Sequence, residues 1–305
     1  MVKENLKIAN LDVKTRIVMP PMATSKSKDG IIGDDMLAYY KERAANPNIG
    51  MIITEHSFIS PEGMAAPNQV SIARDEDIAE HSKIVKVIHE EGKVVFAQIN
   101  HAGNAAKNPY EHLDVDTMSK DDIKRIRNLF VDAAVRAKKA GYDGVEVHSA
   151  HGYLLNQFYS PLRNHRTDEY SAANIENRVR LHKEILEEIR NRLGDYPLAL
   201  RLGGCDYEAG GSTEEDAVNA AKILAGYLDM IDISGGVNNY IRKDNNTPGW
   251  FSDMSAAVKK EVNIPVLVTG GITEIEDAEK ILTEGKADLI GVGRALMRNA
   301  NWPNK

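Results

Sequence analysis

Eight short, β-rich apolar runs, each followed by a helical pattern, leave this chain few folds to choose from. They lie at residues 16–19, 51–54, 94–99, 144–148, 198–201, 230–234, 266–269 and 289–292. Strands that alternate with helices must run parallel, because each helix carries the chain back across the sheet. Eight such units in 305 residues match a closed α/β barrel of the (β/α)8 TIM type. A doubly wound open sheet would show a break in strand order instead. No Pro/Gly/Ser linker, low-complexity tract or charge block interrupts the alternation, so a single domain over residues 1–305 is expected.

The helical segments carry their own punctuation. Ser119 with Asp122 reads as a capping box before the stripe Ile123, Ile126, Phe130, Ala133 and Ala137, and Gly141 ends that helix. Thr273 with Glu276 repeats the signal before Ala278, Ile281 and Leu282, with Gly285 as the stop. These stripes face a core and carry no chemistry.

Composition narrows the class. A net charge of −7 argues against nonspecific nucleic-acid binding, which needs a basic face. Cys205 is the only cysteine, which excludes an internal disulfide, a four-cysteine zinc site and a cysteine-held iron–sulfur cluster. The opening MVKENLKIAN lacks a signal-peptide core, and no run reaches the roughly 18 apolar residues of a membrane span. A cytoplasmic protein acting on a small molecule, with no nucleic-acid or membrane partner, is expected.

Barrel enzymes place their chemistry just past the strand ends. The fourth run ends in His148, His151 and Tyr153 within six residues. Two imidazoles can donate hydrogen bonds to one electron-rich oxygen, and a phenol beside them can supply a proton. The bland reading of each histidine is a satisfied structural donor, and a zinc site would need a further ligand; no metal is expected. Glu146, two residues before His148 on the same strand face, reads as part of a buried polar layer. The HAG turn at 101–103 offers His101 either to loop structure or to a cofactor. Trp250 and Phe251 stand either at a pocket border or in packing.

Strand seven ends in VTGGI and strand eight in GVGRAL. Gly270, Gly271 and Gly293 would let backbone N–H groups approach an anion, and Arg294 can grip phosphate oxygens; plain turn glycines are the rival reading. Gln98 offers donor and acceptor together, matching the edge of a flavin pyrimidine, and Arg201 is a fixed cation for negative charge on a reduced ring. With the phosphate site they favour FMN.

These residues resemble the Old Yellow Enzyme family of FMN-dependent ene-reductases and NADH:flavin oxidoreductases, over nearly the whole chain. The marks are MPPMATS, AQINHAG, EVHSAHGYLLNQFYSPLRNHRTDEY followed by ENR, and ADLIGVGRAL. The resemblance implies FMN contacts from Pro21, Met22 and Ala23, from His56, Gln98 and Arg201, and phosphate contacts from Gly271, Gly293 and Arg294. It makes His148 and His151 the pair on the substrate's activating oxygen and Tyr153 the proton donor. Ser25 occupies a place that in some relatives carries a substrate-contacting tyrosine.

Departures from the family are equally specific. Ala23 stands where relatives commonly set Cys or Thr against the flavin carbonyl, and Thr24 is the neighbour that would compensate. His56 fills a place often held by a small residue. The stretch between His101 and Met118 is shorter than usual, which bears on access or on an oligomer contact; a homo-oligomer is compatible with the sequence. The iron–sulfur and pyridine-nucleotide domains of the dienoyl-CoA reductase relatives are not expected after WPNK.

The expected reaction has NADH or NADPH reduce FMN and leave. An enone-type alkene then takes hydride from flavin N5 and a proton from Tyr153. An NADH oxidase or quinone-type flavin reductase without a dedicated alkene, and a flavin-binding protein without turnover, are the alternatives within flavin chemistry. A sugar-phosphate aldolase or isomerase would share the phosphate site but needs a lysine or carboxylate at a strand end, and none of the eight runs ends in lysine.

Overall fold

The computed structural model describes residues 1–237 and 240–303, so the expected domain limit at Lys305 lies outside the described residues. An antiparallel hairpin, β1 (Leu6–Ile8) and β2 (Leu11–Val13), comes first. The other strands are β3 (Ile17–Met19), β4 (Ile49–Ile53), β5 (Ser57–Phe58), β6 (Val94–Asn100), β7 (Gly144–Ser149), β8 (Leu198–Cys205), β9 (Met230–Gly235), β10 (Val266–Thr269) and β11 (Leu289–Gly291). Their order is β4-β3-β11-β10-β9-β8-β7-β6-β5, and β4 pairs back onto β6, so eight parallel strands close into the expected barrel. All eight runs became strands. The hairpin and the two-residue β5, which extends the wall beside Ile99 and Asn100, were not anticipated.

Alternation along each strand sorts the barrel interior by height. At the N-terminal end, Val18, Met51, Phe96, Ala199, Met230, Leu267 and Leu289 form an apolar floor, which Ile8 and Val13 of the hairpin close from outside. Two residues further along the strands, Gln98, Glu146, Arg201 and Asp232 form a buried polar layer. The step after that brings His148 and Ser234 to the mouth. Glu146 is therefore the buried layer residue the sequence suggested. The floor depends on Gly144: a Cβ there would sit 2.4 Å from the Phe96 ring.

The helices pack their apolar stripes on the outer barrel face in one continuous core. Ser119 and Asp122 form the expected reciprocal capping box on the helix Lys120–Ala140, and Gly141 ends it at φ 96°. The second expected box is not formed. That helix starts at Ile275 after Glu274, with no side-chain cap, while the Thr273 carbonyl accepts from the Trp302 indole at 2.6 Å and Thr273 joins the cavity wall. A box the sequence reading missed, Thr213 with Asp216, opens the helix Glu214–Leu224.

The bottom rim is stitched rather than merely turned. Asp143 accepts from Val95 N at 2.8 Å, Asp229 from Leu198 N at 2.9 Å and Asp288 from Val266 N at 2.9 Å. Each aspartate precedes one strand and ties the start of its neighbour. His89, Arg190 and Lys259 respectively pair with them. Among the described residues no helix is long and apolar enough to cross a membrane.

Candidate active site

The C-terminal mouth opens into a cavity of about 760 Å³, within the range usual for small-molecule sites. Pro21, Met22, Ala23, His56, Gln98, His148, His151, Tyr153, Arg201, Gly270, Gly271, Gly293 and Arg294 all line it. These come from seven of the eight strand ends and the turns that follow them, which is why a scattered sequence pattern converges in space.

The aromatic group is compact. The His148 ring lies 5.2 Å from His151 and 5.4 Å from Tyr153, and His56 stacks on Tyr153 at 5.5 Å. His151 has φ 59° and Gly152 φ 76°, two consecutive left-handed residues. That conformation is uncommon for a residue with a side chain. Ser234 Oγ meets His151 Nε2 at 2.8 Å. Burial holds His148 and His151 well below the ordinary imidazole range, and Arg201 adds to the effect. Both rings are neutral near pH 7, so each has one N–H to donate.

The proton positions follow from their neighbours. Ala65 N donates to Gln69 Oε1 at 2.6 Å, which orients that amide. Gln69 Nε2 must then donate to His56 Nδ1 at 2.9 Å, and Asn100 Nδ2 adds a second donor at 3.2 Å. With Nδ1 an acceptor, the His56 proton sits on Nε2. Burial and then Arg201 push its pKa down to about 4. Gln98 Nε2 likewise donates to Glu146 Oε1 at 2.8 Å and to His148 Nδ1 at 3.3 Å, which leaves the His148 proton on Nε2. Gln98 thus presents only Oε1 to a ligand, not the donor–acceptor pair anticipated from sequence. Arg201 is held from three sides, by Thr269 Oγ1 at 3.0 Å, Ser234 Oγ at 3.5 Å and the Asp232 carboxylate at 3.1 Å.

Two expectations change, and one open reading is decided. Thr24 does not line the cavity: its hydroxyl donates to Glu55 at 2.7 Å and its N–H to the same carboxylate at 3.2 Å. It therefore faces away from any ring beside Ala23 and offers no compensation for the missing hydrogen bond. Ser25, exposed and at φ 56°, also stands outside the wall. His101 is loop structure: it is buried, its Nδ1 accepts from Gly103 N at 3.0 Å, and Gly63 packs on its ring.

The glycines serve two neighbours. Cβ atoms on Gly270 and Gly271 would meet the Trp250 indole at 2.7 and 2.4 Å, and one on Gly293 would meet Met22 Sδ at 2.7 Å. Close packing of Trp250 is thus one reason for the GG pair, beside the anion approach read from sequence. The Arg294 guanidinium stands 5.3 Å over the same indole, and no carboxylate pairs with it among the described residues. An unpaired cation, a wall of glycines at Gly270, Gly271 and Gly293 and a cavity of this size suit a phosphate ester with a planar head, so the residues present fit FMN. Trp250 and Phe251 do border the cavity. Tyr240, whose ring lies 5.9 Å from His151, was missed because it belongs to a loop without a pattern, and Met297 because it sits in the one-turn helix Arg294–Arg298, too short to show an apolar period.

Comparison with known proteins agrees with this geometry. The model of the NADH:flavin oxidoreductase / NADH oxidase family matches residues 4–305. An NADH oxidase of Thermoanaerobacter brockii is 36% identical over 324 aligned positions, covering 98% of this chain but 49% of its own length, so the chain spans about half of that relative. An NADPH dehydrogenase of Clostridium acetobutylicum is also 36% identical, covering 97% of this chain and 91% of its own. The solved structure of an old yellow enzyme homologue from Zymomonas mobilis superposes with a TM-score of 0.84 at 26% identity, over 99% of this chain and 91% of that one. With the barrel, the mouth and the match over residues 4–305 in agreement, this chain belongs to the NADH:flavin oxidoreductase / NADH oxidase family, the Old Yellow Enzyme group.

Proposed function

We propose that the chain is an NAD(P)H-dependent FMN oxidoreductase that reduces the C=C bond of an activated alkene of the enone type. The observation that carries this reading is the pairing of two neutral imidazoles with a phenol in one cavity, beside a fixed guanidinium. Bound FMN would supply two-electron chemistry, accepting hydride from the nicotinamide and passing it on.

The protein's part is binding, polarisation and proton supply. Arg294 with the backbone at Gly271 and Gly293 would hold the phosphate, while Arg201, Gln98 Oε1 and the Nε2–H of His56 would meet the ring. His148 donates from Nε2. For His151 to donate from Nδ1, Ser234 must give its hydroxyl proton to Nε2. Two such donors on a carbonyl oxygen draw electron density from the β-carbon and stabilise negative charge on the oxygen as it develops. Removing one donor of this kind costs on the order of 10²–10³ in rate. Burial raises the pKa of Tyr153, so its Oη stays protonated and is a proton source for the α-carbon.

The first test is colour. Purified protein should carry a yellow flavin that bleaches with NADH or NADPH without oxygen and recovers with cyclohexenone. Recovery with quinones but not with enones would favour a flavin reductase without a dedicated alkene. Tyr153→Phe should slow the alkene step at least tenfold and leave flavin reduction within twofold; equal loss in both half-reactions would refute the proton-donor role.

A further inference from the structure

The polar layer under the mouth holds more negative charge than it can balance. Glu146 and Asp232 are fully buried inside the barrel. Facing them are Gln98 from β6, Arg201 from β8 and Thr269 from β10. The positions of β3, β4 and β11 that face inward contribute only Val18, Met51, Ile53, Leu289 and Gly291. Above lie His148 and Ser234, then His56 and His151, whose rings are neutral. Below is the apolar floor. Arg201 is therefore the one positive charge facing two carboxylates among the described residues. Its Nε comes within 3.1 Å of Asp232 Oδ2, yet Glu146 Oε2 and both Asp232 oxygens have no hydrogen-bond donor. Two ionised carboxylates against one cation, all of them buried, would leave an uncompensated charge inside the barrel, which is strongly unfavourable.

We infer that Glu146 and Asp232 hold one proton between them, and that this shared proton tunes the electron affinity of the flavin bound above. The second half rests on the FMN reading given above. Burial and the neighbouring Asp232 charge raise Glu146. Burial also raises Asp232, but Arg201 pulls it back. The proton thus resides on Glu146 and the anion on Asp232, and the layer with Arg201 is neutral. Each member holds a cavity-lining group: Glu146 anchors Gln98, and Asp232 anchors Arg201. Bound FMN would take up two electrons with one proton for each hydride accepted, a net gain of one negative charge above the layer. Where Glu146 is ionised beforehand, that charge draws one further proton from solvent onto its carboxylate. Glu146 and Asp232 are positioning residues; neither touches substrate.

Two measurements separate the halves. Infrared spectra of the flavin-free protein should show a buried carboxylic-acid C=O band that fades as pH rises through about 8 and is missing in Glu146→Gln. No such band overturns the shared proton, whatever the flavin does. Spectroelectrochemical titration of the flavin-loaded protein then reads the linkage. Each proton taken up with two electrons shifts the equilibrium tenfold per pH unit, about 30 mV. The wild-type slope should steepen from about 30 to about 60 mV per pH unit above that pH, while Glu146→Gln stays near 30. Identical curves would overturn the linkage even with the acid band present, and the wild-type curve alone decides the matter if the variant does not fold. A protein that refuses FMN would overturn the functional reading, and the infrared result would still decide the proton pair.

Discussion

Replacing Gly144 by alanine would test whether the barrel floor supports the site above it. The new Cβ would stand 2.4, 2.5 and 2.7 Å from three atoms of the Phe96 ring. Ordinary contact begins near 3.5 Å, so about 1 Å must be recovered. Phe96 is fully buried among Met51, Ala199 and Met230, so neither ring nor strand has free space to take up the shift. Overpacking of this kind costs roughly 1–3 kcal/mol, and a closed barrel belongs at the upper end, about 3. With a urea m-value of about 3 kcal/mol/M, the midpoint falls by about 1 M. Gly144 and Phe96 lie two residues before Glu146 and Gln98, so FMN affinity should fall as well. Phe96→Leu alone opens a void, but combined with Gly144→Ala it should restore at least 1 kcal/mol relative to the sum of the single changes. Urea titration of the flavin-free proteins checks this. A neutral Gly144→Ala, or strictly additive costs, would refute the account of the floor.

Other outcomes follow from the same geometry. Arg294→Ala should weaken FMN at least tenfold by isothermal titration and leave riboflavin, which lacks the phosphate, nearly unchanged; equal losses would place the phosphate elsewhere. His56 has a folded pKa of about 4 against 6.5 when free, so the unfolded chain binds more protons in that window and stability falls as pH drops from 6.5 towards 4. His56→Gln should flatten this fall by about 2 kcal/mol, after allowance for partial solvent contact; an unchanged pH profile of the denaturation midpoint would contradict it. Ser119→Ala should cost about 1 kcal/mol through loss of the capping box, without affecting FMN binding.

The barrel was legible because its strands are apolar on both faces, one towards the floor and one towards the helices, and short runs of that kind stand out between helical stripes. The hairpin was not, because three-residue strands such as Leu6–Ile8 leave no period to detect. The His148, His151 and Tyr153 group was visible since the end of one strand and the turn after it carry all three within six residues. Thr24 could not be read correctly, because its direction is set by Glu55, a buried carboxylate 31 residues away. The same holds for Gln98, whose amide hydrogens are claimed by Glu146 and His148. Nothing local sets Gly-Tyr-Asp or Lys-Ala-Asp at the bottom rim apart from ordinary turn material, because the reach of Asp143 and Asp288 to a neighbouring strand depends on strand pairing, which no local pattern states.

Those rim aspartates divide the molecule by depth. Strands fastened at their starts do not need their far ends for cohesion, so the upper loops are at liberty to diversify in length and composition while the cylinder endures. Amide exchange should record this as a vertical gradient, slowest at Val95, Leu198 and Val266 and faster towards the opening. Novel selectivity can therefore be sought by rebuilding the upper loops, with the anchored base left as it is.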